Sequence, residues 1–252
     1  MKSDNLLNKE EKFASPSSRY LFTSGRTVGI ILLLQLATAL TLPFILAKPI
    51  TTGSPAFLTA VAEHSAQIRF SVLLSFVGSA LTVYLGFAAF QVFQLYSKTA
   101  ALLFLVVCAI SCTLDLVQAG TIMSMLSMSN NFLASGAADS EIYNIVGAAV
   151  ASARRSAHST QLLAIGAWMF VFYTSLFRFR LIPRVLAGVG LIGVISQFIG
   201  VTLMMFLGYR SIGEMAMPLL PIQITVAVWL IIKGFNQPDS ERSAGLAHHG
   251  NH

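Results

Sequence analysis

Charged side chains are scarce in this chain. They make up 10% of its 252 residues, against roughly 25% in a soluble domain. The hydrophobic fraction is 55% and the mean hydropathy is +0.73. A soluble fold of this size would expose too much apolar surface to stay dissolved, so the soluble classes are excluded. The net charge of +6 is attributed to membrane topology and anionic lipid, and no nucleic-acid partner is predicted.

Cysteine is also nearly absent. The two that occur, Cys108 and Cys112, have helical i, i+4 spacing within one apolar block, with no other apparent Cys or His at the same depth. We interpret them as small packing residues rather than a redox or metal pair. Motifs typical of metalloproteases, serine hydrolases and P-loop proteins are missing as well. The sequence therefore identifies no catalytic residue, metal site or cofactor.

Six long apolar blocks are what the chain does contain. Each approaches the ~20 residues that a helix needs to cross ~30 Å of hydrocarbon. The first is too long for a cleaved signal peptide, so it should remain as an anchor. We predict an all-α membrane protein, a bundle of six transmembrane helices, embedded in a bacterial inner membrane. The blocks lie near residues 27–47, 68–95, 99–126, 157–177, 183–207 and 217–234.

The distribution of Lys and Arg predicts the orientation of this bundle. With the N-terminus inside, eleven of these residues fall on the cytoplasmic side and five outside, as the positive-inside rule requires. Six spans then return the C-terminus to the cytoplasm. The domain prediction is a polar basic cytoplasmic tail over 1–26, the membrane domain over 27–235 and a disordered cytoplasmic tail over 236–252.

The connections outside the blocks predict helical extensions on the extracytoplasmic side. No proline occurs between Glu141 and Leu176, so one helix should stand outside the bilayer and run directly into span four. Loop is predicted before it, at Ser129–Asn131 and again at Ser135. For the segment before span two, either one long helix or a short outer helix broken near Ser65 fits the pattern.

Two stretches resemble a known family of bacterial membrane proteins. One runs from Leu176 through Phe-Arg-Phe-Arg-Leu-Ile-Pro-Arg to Gly188, an apolar helix end, a basic turn and the next helix. The other is Trp229 to Phe235 at the end of the last block. The chain resembles the family known as domain of unknown function 4386, with weaker similarity around Arg69 and His158. That family has no established activity, so the resemblance implies architecture.

Asp115 is the sharpest functional signal, because it lies within the third block. An ionised carboxylate there costs ~2.5–3.5 kcal/mol on insertion scales. Ser111, Cys112 and Gln118 lie one turn from it and form a polar stripe that should face the bundle interior. The resembling family often carries Arg and Glu where this chain has Asp115 and Gln118. Asp115 is either a proton, ion or ligand site, or a buried group that joins helices.

Other polar residues extend the candidate site. Arg69 and His158 each lie a few residues inside an apolar block, toward the predicted outer side, where an acid or a ligand headgroup would complete a site. Gln161 places an amide in span four, as Gln91, Gln197 and Gln223 do in other spans. These amides either form single interhelical hydrogen bonds or line a polar cavity together with Asp115. Axial haem ligation by His64 and His158 is the weaker alternative for the two histidines.

The leading hypothesis is a membrane protein that binds or transports a small molecule or ion at an intramembrane polar centre. Its candidate residues are Asp115, Gln118, Arg69, His158 and Gln161. The alternatives are a membrane-embedded enzyme or redox protein working at the outer face, and a regulatory or structural membrane partner. The lipid bilayer is the one partner that the sequence requires.

Overall fold

A computed structural model describes residues 18–46, 57–135, 140–208, 215 and 217–236. Within these ranges the regular structure is entirely α-helical, as predicted. The residues before Ser18 and after Asn236, which hold most of both predicted tails, lie outside the described ranges. The helices are α1 (Ser18–Leu46), α2 (Phe57–Glu63), α3 (Ser65–Phe93), α4 (Lys98–Ala134), α5 (Ser140–Arg178), α6 (Arg184–Leu207) and α7 (Leu219–Lys233).

Five of these helices, α1 and α3 to α6, are long and apolar enough to cross a membrane. The chain is therefore a multi-pass membrane protein. The predicted sixth span corresponds to α7, which is apolar but has 15 described residues, about 22 Å of helix and less than the hydrocarbon thickness. Helix α1 begins at Ser18, inside the segment 1–26 that the sequence assigns to the tail.

The helices of the membrane bundle pack in a closed ring. Helix α1 packs against α3, each helix from α3 onward packs against the next one, and α7 returns to α1. A tight turn joins α3 to α4, and Ser97 caps α4 by accepting a hydrogen bond from the backbone N–H of Ala100 at 3.3 Å. The bundle interior is thus enclosed by helices on all sides.

An aromatic core fills one end of the bundle, which we call the basic end because Lys98, Arg178, Arg184 and Lys233 lie there at helix termini. The ring of Phe104 lies 5.4 Å from that of Phe93 and 5.6 Å from that of Phe172, between centroids. The chain after α7 closes this end. The backbone N–H of Phe235 donates to the Leu21 carbonyl, and that of Asn236 to the Leu181 carbonyl.

The opposite, extended end is built by α2, the end of α4 and the start of α5. Helices α4 and α5 have 37 and 39 residues, so they are about 55 and 58 Å long and exceed the hydrocarbon thickness. Ser129 Oγ donates to the Leu58 carbonyl, which fixes α2 on α4. The predicted helical extensions are present, and the break before span two falls at His64. The loop predicted at Ser129–Asn131 was wrong, because α4 continues to Ala134.

Candidate intramembrane site

Asp115 lies midway along α4, between the aromatic core and the extended end. It is 9% exposed, and two neighbouring helices hold its carboxylate. Gln161 Nε2 of α5 donates to Oδ1 at 2.7 Å, and Ser79 Oγ of α3 donates to Oδ2 at 3.0 Å. Both donors are neutral, so they orient the carboxyl group, and neither would compensate the charge of an ionised carboxylate.

Gln161 extends this network toward the extended end. Its Oε1 lies 3.2 Å from Nδ1 of His158, which precedes it by one turn of α5. His158 itself is exposed on the protein surface. The hydrogen bonds therefore form one chain from a surface imidazole, through a half-buried amide, to a buried carboxylate.

A second polar contact lies beside the carboxylate. Gln35 of α1 donates through Nε2 to Thr82 Oγ1 of α3 at 2.7 Å. Gln223 of α7 donates to a weak acceptor, the Met169 sulfur, at 3.4 Å. Amides from α1, α5 and α7 thus converge on the same level of the bundle as Asp115.

These side chains surround a cavity of about 140 Å³. Five helices contribute to its wall, and α6 does not. Eight of the fourteen lining residues carry hydroxyl, amide or carboxyl groups, although apolar atoms form most of the wall surface. Among the described residues that line the cavity, only Asp115 is ionisable near neutral pH. The lining residues are Leu32, Gln35, Leu36, Thr38 and Ala39 of α1, Ser75, Gly78, Ser79 and Thr82 of α3, Asp115 of α4, Gln161, Ile165 and Trp168 of α5, and Gln223 of α7.

Trp168 has a distinctive place in this wall. It is 3% exposed, and its buried indole Nε1 has no hydrogen-bond partner among the described residues. A buried N–H without an acceptor costs about 1–3 kcal/mol.

The structure brings three of the five sequence-predicted site residues together: Asp115, Gln161 and His158. Gln118 is buried one turn away on α4, where its Oε1 accepts from Thr121 Oγ1 at 3.4 Å, and it does not line the cavity. Arg69 is exposed on α3, about 15 Å along the helix from Ser79, and does not line it either.

The four glutamines predicted within the spans were expected either to line a cavity with Asp115 or to form single interhelical hydrogen bonds. Two of them do the first and two do the second. Gln161 and Gln223 line the cavity. Gln197 instead donates to the Leu162 carbonyl at 3.4 Å, and Gln91 accepts from Tyr20 OH at 3.4 Å. These last two make single contacts between helices.

Sequence reasoning missed the contribution of α3. Ser75, Ser79 and Thr82 follow one another at i, i+4 and i+7, a spacing that puts three hydroxyls on one helix face. That stripe was visible in the sequence. Gln35 was also overlooked, although it is an amide in the first apolar block.

The histidines lie in different surroundings. His64 is at the break between α2 and α3, where its Nδ1 lies 2.9 Å from the Ala60 carbonyl. His158 contacts Gln161. Across the part of the chain that the structure describes, no three His, Cys, Asp or Glu residues converge as a metal-binding group would.

Comparison with curated proteins and comparison with solved structures each give no match. A family model described as a domain of unknown function, DUF4386, matches residues 27–234. This range contains every helix of the membrane bundle except the start of α1, together with the whole lining of the cavity. Because the match spans well over half of the chain, this multi-pass membrane protein belongs to the DUF4386 family.

Proposed function

We propose that this protein binds a small molecule or ion in the cavity beside Asp115, as a step in transport or sensing of that solute across the membrane. The observation that carries the proposal is the position of one carboxylate, beside hydroxyl and amide side chains, in the wall of a cavity at mid-helix depth. The two partners of that carboxylate are neutral. A bound solute supplies the remaining interaction.

Energies argue against a role in helix packing alone. Placing an ionised Asp at mid-span costs ~2.5–3.5 kcal/mol, whereas an interhelical hydrogen bond in a membrane protein contributes ~0.6 kcal/mol on average. The two bonds from Ser79 and Gln161 therefore offset less than half of that cost. An apolar residue at position 115 would join the helices at lower cost, so a functional role better explains the acid.

The same proposal includes six spans, with both termini in the cytoplasm of a bacterial cell. Two features support it. Helix α7 packs between α6 and α1, as a sixth member of the bundle does. The predicted cytoplasmic turns and the end of α7 meet at the basic end, where the aromatic core and the closing hydrogen bonds of Phe235 and Asn236 also lie.

A solute site must be reachable by solutes, and cysteine labelling tests this requirement. Thr38 lines the cavity on α1, and Thr38→Cys should react with the small neutral reagent methyl methanethiosulfonate in membranes. Ser111→Cys is the matched control, because Ser111 is buried one turn from Asp115 and does not line the cavity. We expect faster modification at position 38 than at position 111, above the wild-type background of Cys108 and Cys112. Equal, negligible rates at both positions, under conditions in which Ser135→Cys reacts, would refute the proposed function.

A further inference from the structure

We infer that Asp115 binds a proton reversibly on its Oδ2 atom, so that the wall of the cavity alternates between an anionic and a neutral state. This inference rests on the proposed function and adds a proton to its ligands. Three observations lead to it. The carboxyl group has no cationic partner, one of its two hydrogen-bond partners is a hydroxyl that can reverse its role, and the group lines a partly open cavity.

No cationic side chain among the described residues balances the charge of an ionised Asp115. Its two hydrogen-bond partners, Ser79 and Gln161, are neutral. The ionisable groups closest along the chain to its level, on α4 and on the elements packed against α4, neither line the cavity nor hydrogen-bond to the carboxyl group. They are Cys108 and Cys112 of α4, Arg69 and Tyr84 of α3, Arg154 and His158 of α5, and Glu63 and His64 at the end of α2.

Burial makes an unpaired charge at this position costly. A carboxylate inside a protein is paired with a cation, or it becomes neutral by taking up a proton. Because the described part of the wall offers no cation, a proton from solvent is the simplest means of neutralising Asp115 while the cavity holds no cationic solute. A cationic solute that enters the cavity takes over this role and releases the proton.

Ser79 differs from the hydroxyls beside it on α3. Ser75 Oγ donates to the carbonyl four residues earlier at 3.0 Å, and Thr82 Oγ1 does the same at 3.1 Å. Ser79 lies on the same helix face, yet it donates to Asp115 Oδ2 at 3.0 Å. The carboxyl group therefore draws this one hydroxyl away from the type of acceptor that its neighbours use.

The two oxygens of the carboxyl group differ in how they can hold a proton. Oδ1 accepts from the NH2 group of Gln161, which can only donate, so a proton on Oδ1 would face another N–H. Oδ2 meets the hydroxyl of Ser79, which can donate or accept. With the proton on Oδ2, the new O–H donates to Ser79 Oγ, and the Ser79 hydrogen turns toward the Ser75 carbonyl. The bond from Gln161 is unchanged, so the carboxyl group keeps both hydrogen bonds in either state.

The cavity gives the proton its route. Asp115 lines the cavity, which is partly open rather than sealed. The hydrogen bonds through Gln161 to His158 do not provide such a route, because a neutral amide neither releases nor takes up a proton near neutral pH. The proton and a cationic solute thus reach one carboxylate from the same space, and binding of either one weakens binding of the other.

Infrared spectroscopy of the full-length protein in lipid bilayers detects a protonated carboxyl group through its C=O stretch. Spectra are compared at about pH 5 and about pH 9, a range in which an aspartate in water stays largely ionised. At the lower pH we expect a carboxyl band that shifts when aspartate carries carbon-13 in its side-chain carboxyl group. Asp115→Asn should lose this band. Asp139→Asn, the same change at the aspartate that precedes α5, is the matched control and should keep it.

The role of Ser79 is tested in the same spectra. Ser79→Ala removes the hydrogen-bond partner of Oδ2, so the frequency of the band should change. Ser71→Ala is the matched control, because Ser71 is a buried hydroxyl of the same helix that donates to the Ile68 carbonyl and does not line the cavity. Its band should keep the wild-type frequency. If Asp115→Asn does not fold, an unchanged frequency in Ser79→Ala is sufficient to refute the proton on Oδ2.

Thiol labelling measures the charge of the cavity wall. Thr38→Cys is modified with neutral methyl methanethiosulfonate and with its trimethylammonium-ethyl analogue, which is permanently cationic. The ratio of the cationic to the neutral rate cancels the ionisation of the thiol itself. Because an ionised Asp115 attracts the cation, we expect this ratio to be about fivefold higher at about pH 9 than at about pH 5. With Asp115→Asn in the same protein, the ratio should be equal at both pH values.

The outcomes separate this inference from the proposed function. A spectrum without a band that depends on Asp115, or a labelling ratio for Thr38→Cys that is equal at both pH values, overturns the proton site. The proposed solute site still stands in that case if the neutral reagent modifies Thr38→Cys faster than Ser111→Cys. Equal, negligible rates at these two positions refute the solute site instead, and the infrared band then decides on the proton alone.

Discussion

The amide of Gln161 donates to Asp115 over 2.7 Å and joins α5 to α4 at the level of the cavity. This distance is at the short end of the range for N–H···O bonds and is typical of a charge-assisted one. The same amide faces His158 with its oxygen. Gln161 therefore determines both how the carboxylate is held and how the site connects to the protein surface.

Replacement of Gln161 by Leu should destabilise the protein. The variant removes one of the two donors to the Asp115 carboxylate, and a buried acceptor left without its partner costs about 1–2 kcal/mol. Thermal unfolding of the purified protein in detergent measures the effect. Gln94→Leu is the control, because Gln94 is an exposed amide at the end of α3 whose side chain donates to the Gln91 carbonyl of the same helix, and its midpoint should stay close to wild type. Equal midpoints for the two variants would contradict the role of the Gln161 bond.

The direction of this hydrogen-bond chain predicts the tautomer of His158. An ionised carboxylate can only accept, so the NH2 group of Gln161 faces Asp115 and its oxygen faces His158. The imidazole must then donate through Nδ1–H. Nitrogen-15 NMR of histidine-labelled protein should show a proton on Nδ1 of His158 in the wild type. In Gln161→Leu this preference should disappear. A neutral His158 protonated only at Nε2 in the wild type would reverse the chain and imply a protonated Asp115.

The fold was largely predictable because length and hydropathy decide which segments cross a bilayer. The absence of proline between Glu141 and Leu176 also predicted α5 as one long helix. The loop prediction at Ser129–Asn131 was wrong because of a contact with another helix. Its polar residues suggested a turn, yet Ser129 finds a partner in the Leu58 carbonyl of α2, and α4 continues. No local signal within α4 reveals that contact.

The candidate site was predictable only in part, for a similar reason. Asp115 stands out in any apolar block, and Gln161 and His158 are conspicuous within theirs. Which polar residues meet depends on helix rotation, which near-uniform hydrophobicity leaves undetermined. Gln118 and Ser79 are both polar residues within apolar blocks. Ser79 of α3 hydrogen-bonds to the carboxylate, whereas Gln118 accepts a hydrogen bond from Thr121 of its own helix. Arg69 was excluded by its distance along α3 from the level of Asp115.

Close packing of α1 on α7 makes Gly29 sensitive to any added atom. A Cβ at this position would lie 2.7 Å from the Ala227 carbonyl oxygen, a backbone atom that cannot move alone. Gly29→Ala should therefore separate the two helices and cost about 1–3 kcal/mol. Gly120→Ala is the control, since nothing lies within 4 Å of its added Cβ, and alanine favours the helix by up to about 1 kcal/mol. Unfolding midpoints should fall for the first variant and stay or rise for the second.

Topology gives the last prediction. Both termini are expected in the cytoplasm and the extended end outside, because the basic turn containing Arg178, Arg180 and Arg184 is short, and short loops weigh most in the positive-inside rule. The physical cost of the reverse orientation is the transfer of that basic cluster across the membrane beside two spans. Arg154 and Arg155 oppose this choice only partly, since α5 has 39 residues and is therefore about 58 Å long, which exceeds the hydrocarbon thickness and allows both residues to stand clear of it.

Cysteine labelling in intact cells decides the orientation. Ser135 is exposed at the extended end of α4, so Ser135→Cys should react with a membrane-impermeant thiol reagent before lysis. Ser240→Cys, in the C-terminal tail, should react only after lysis. The native cysteines give a low background, because Cys108 is buried and Cys112 is half-buried within a span. Labelling of Ser240→Cys in intact cells, with Ser135→Cys protected, would invert the bundle and place the extended end in the cytoplasm.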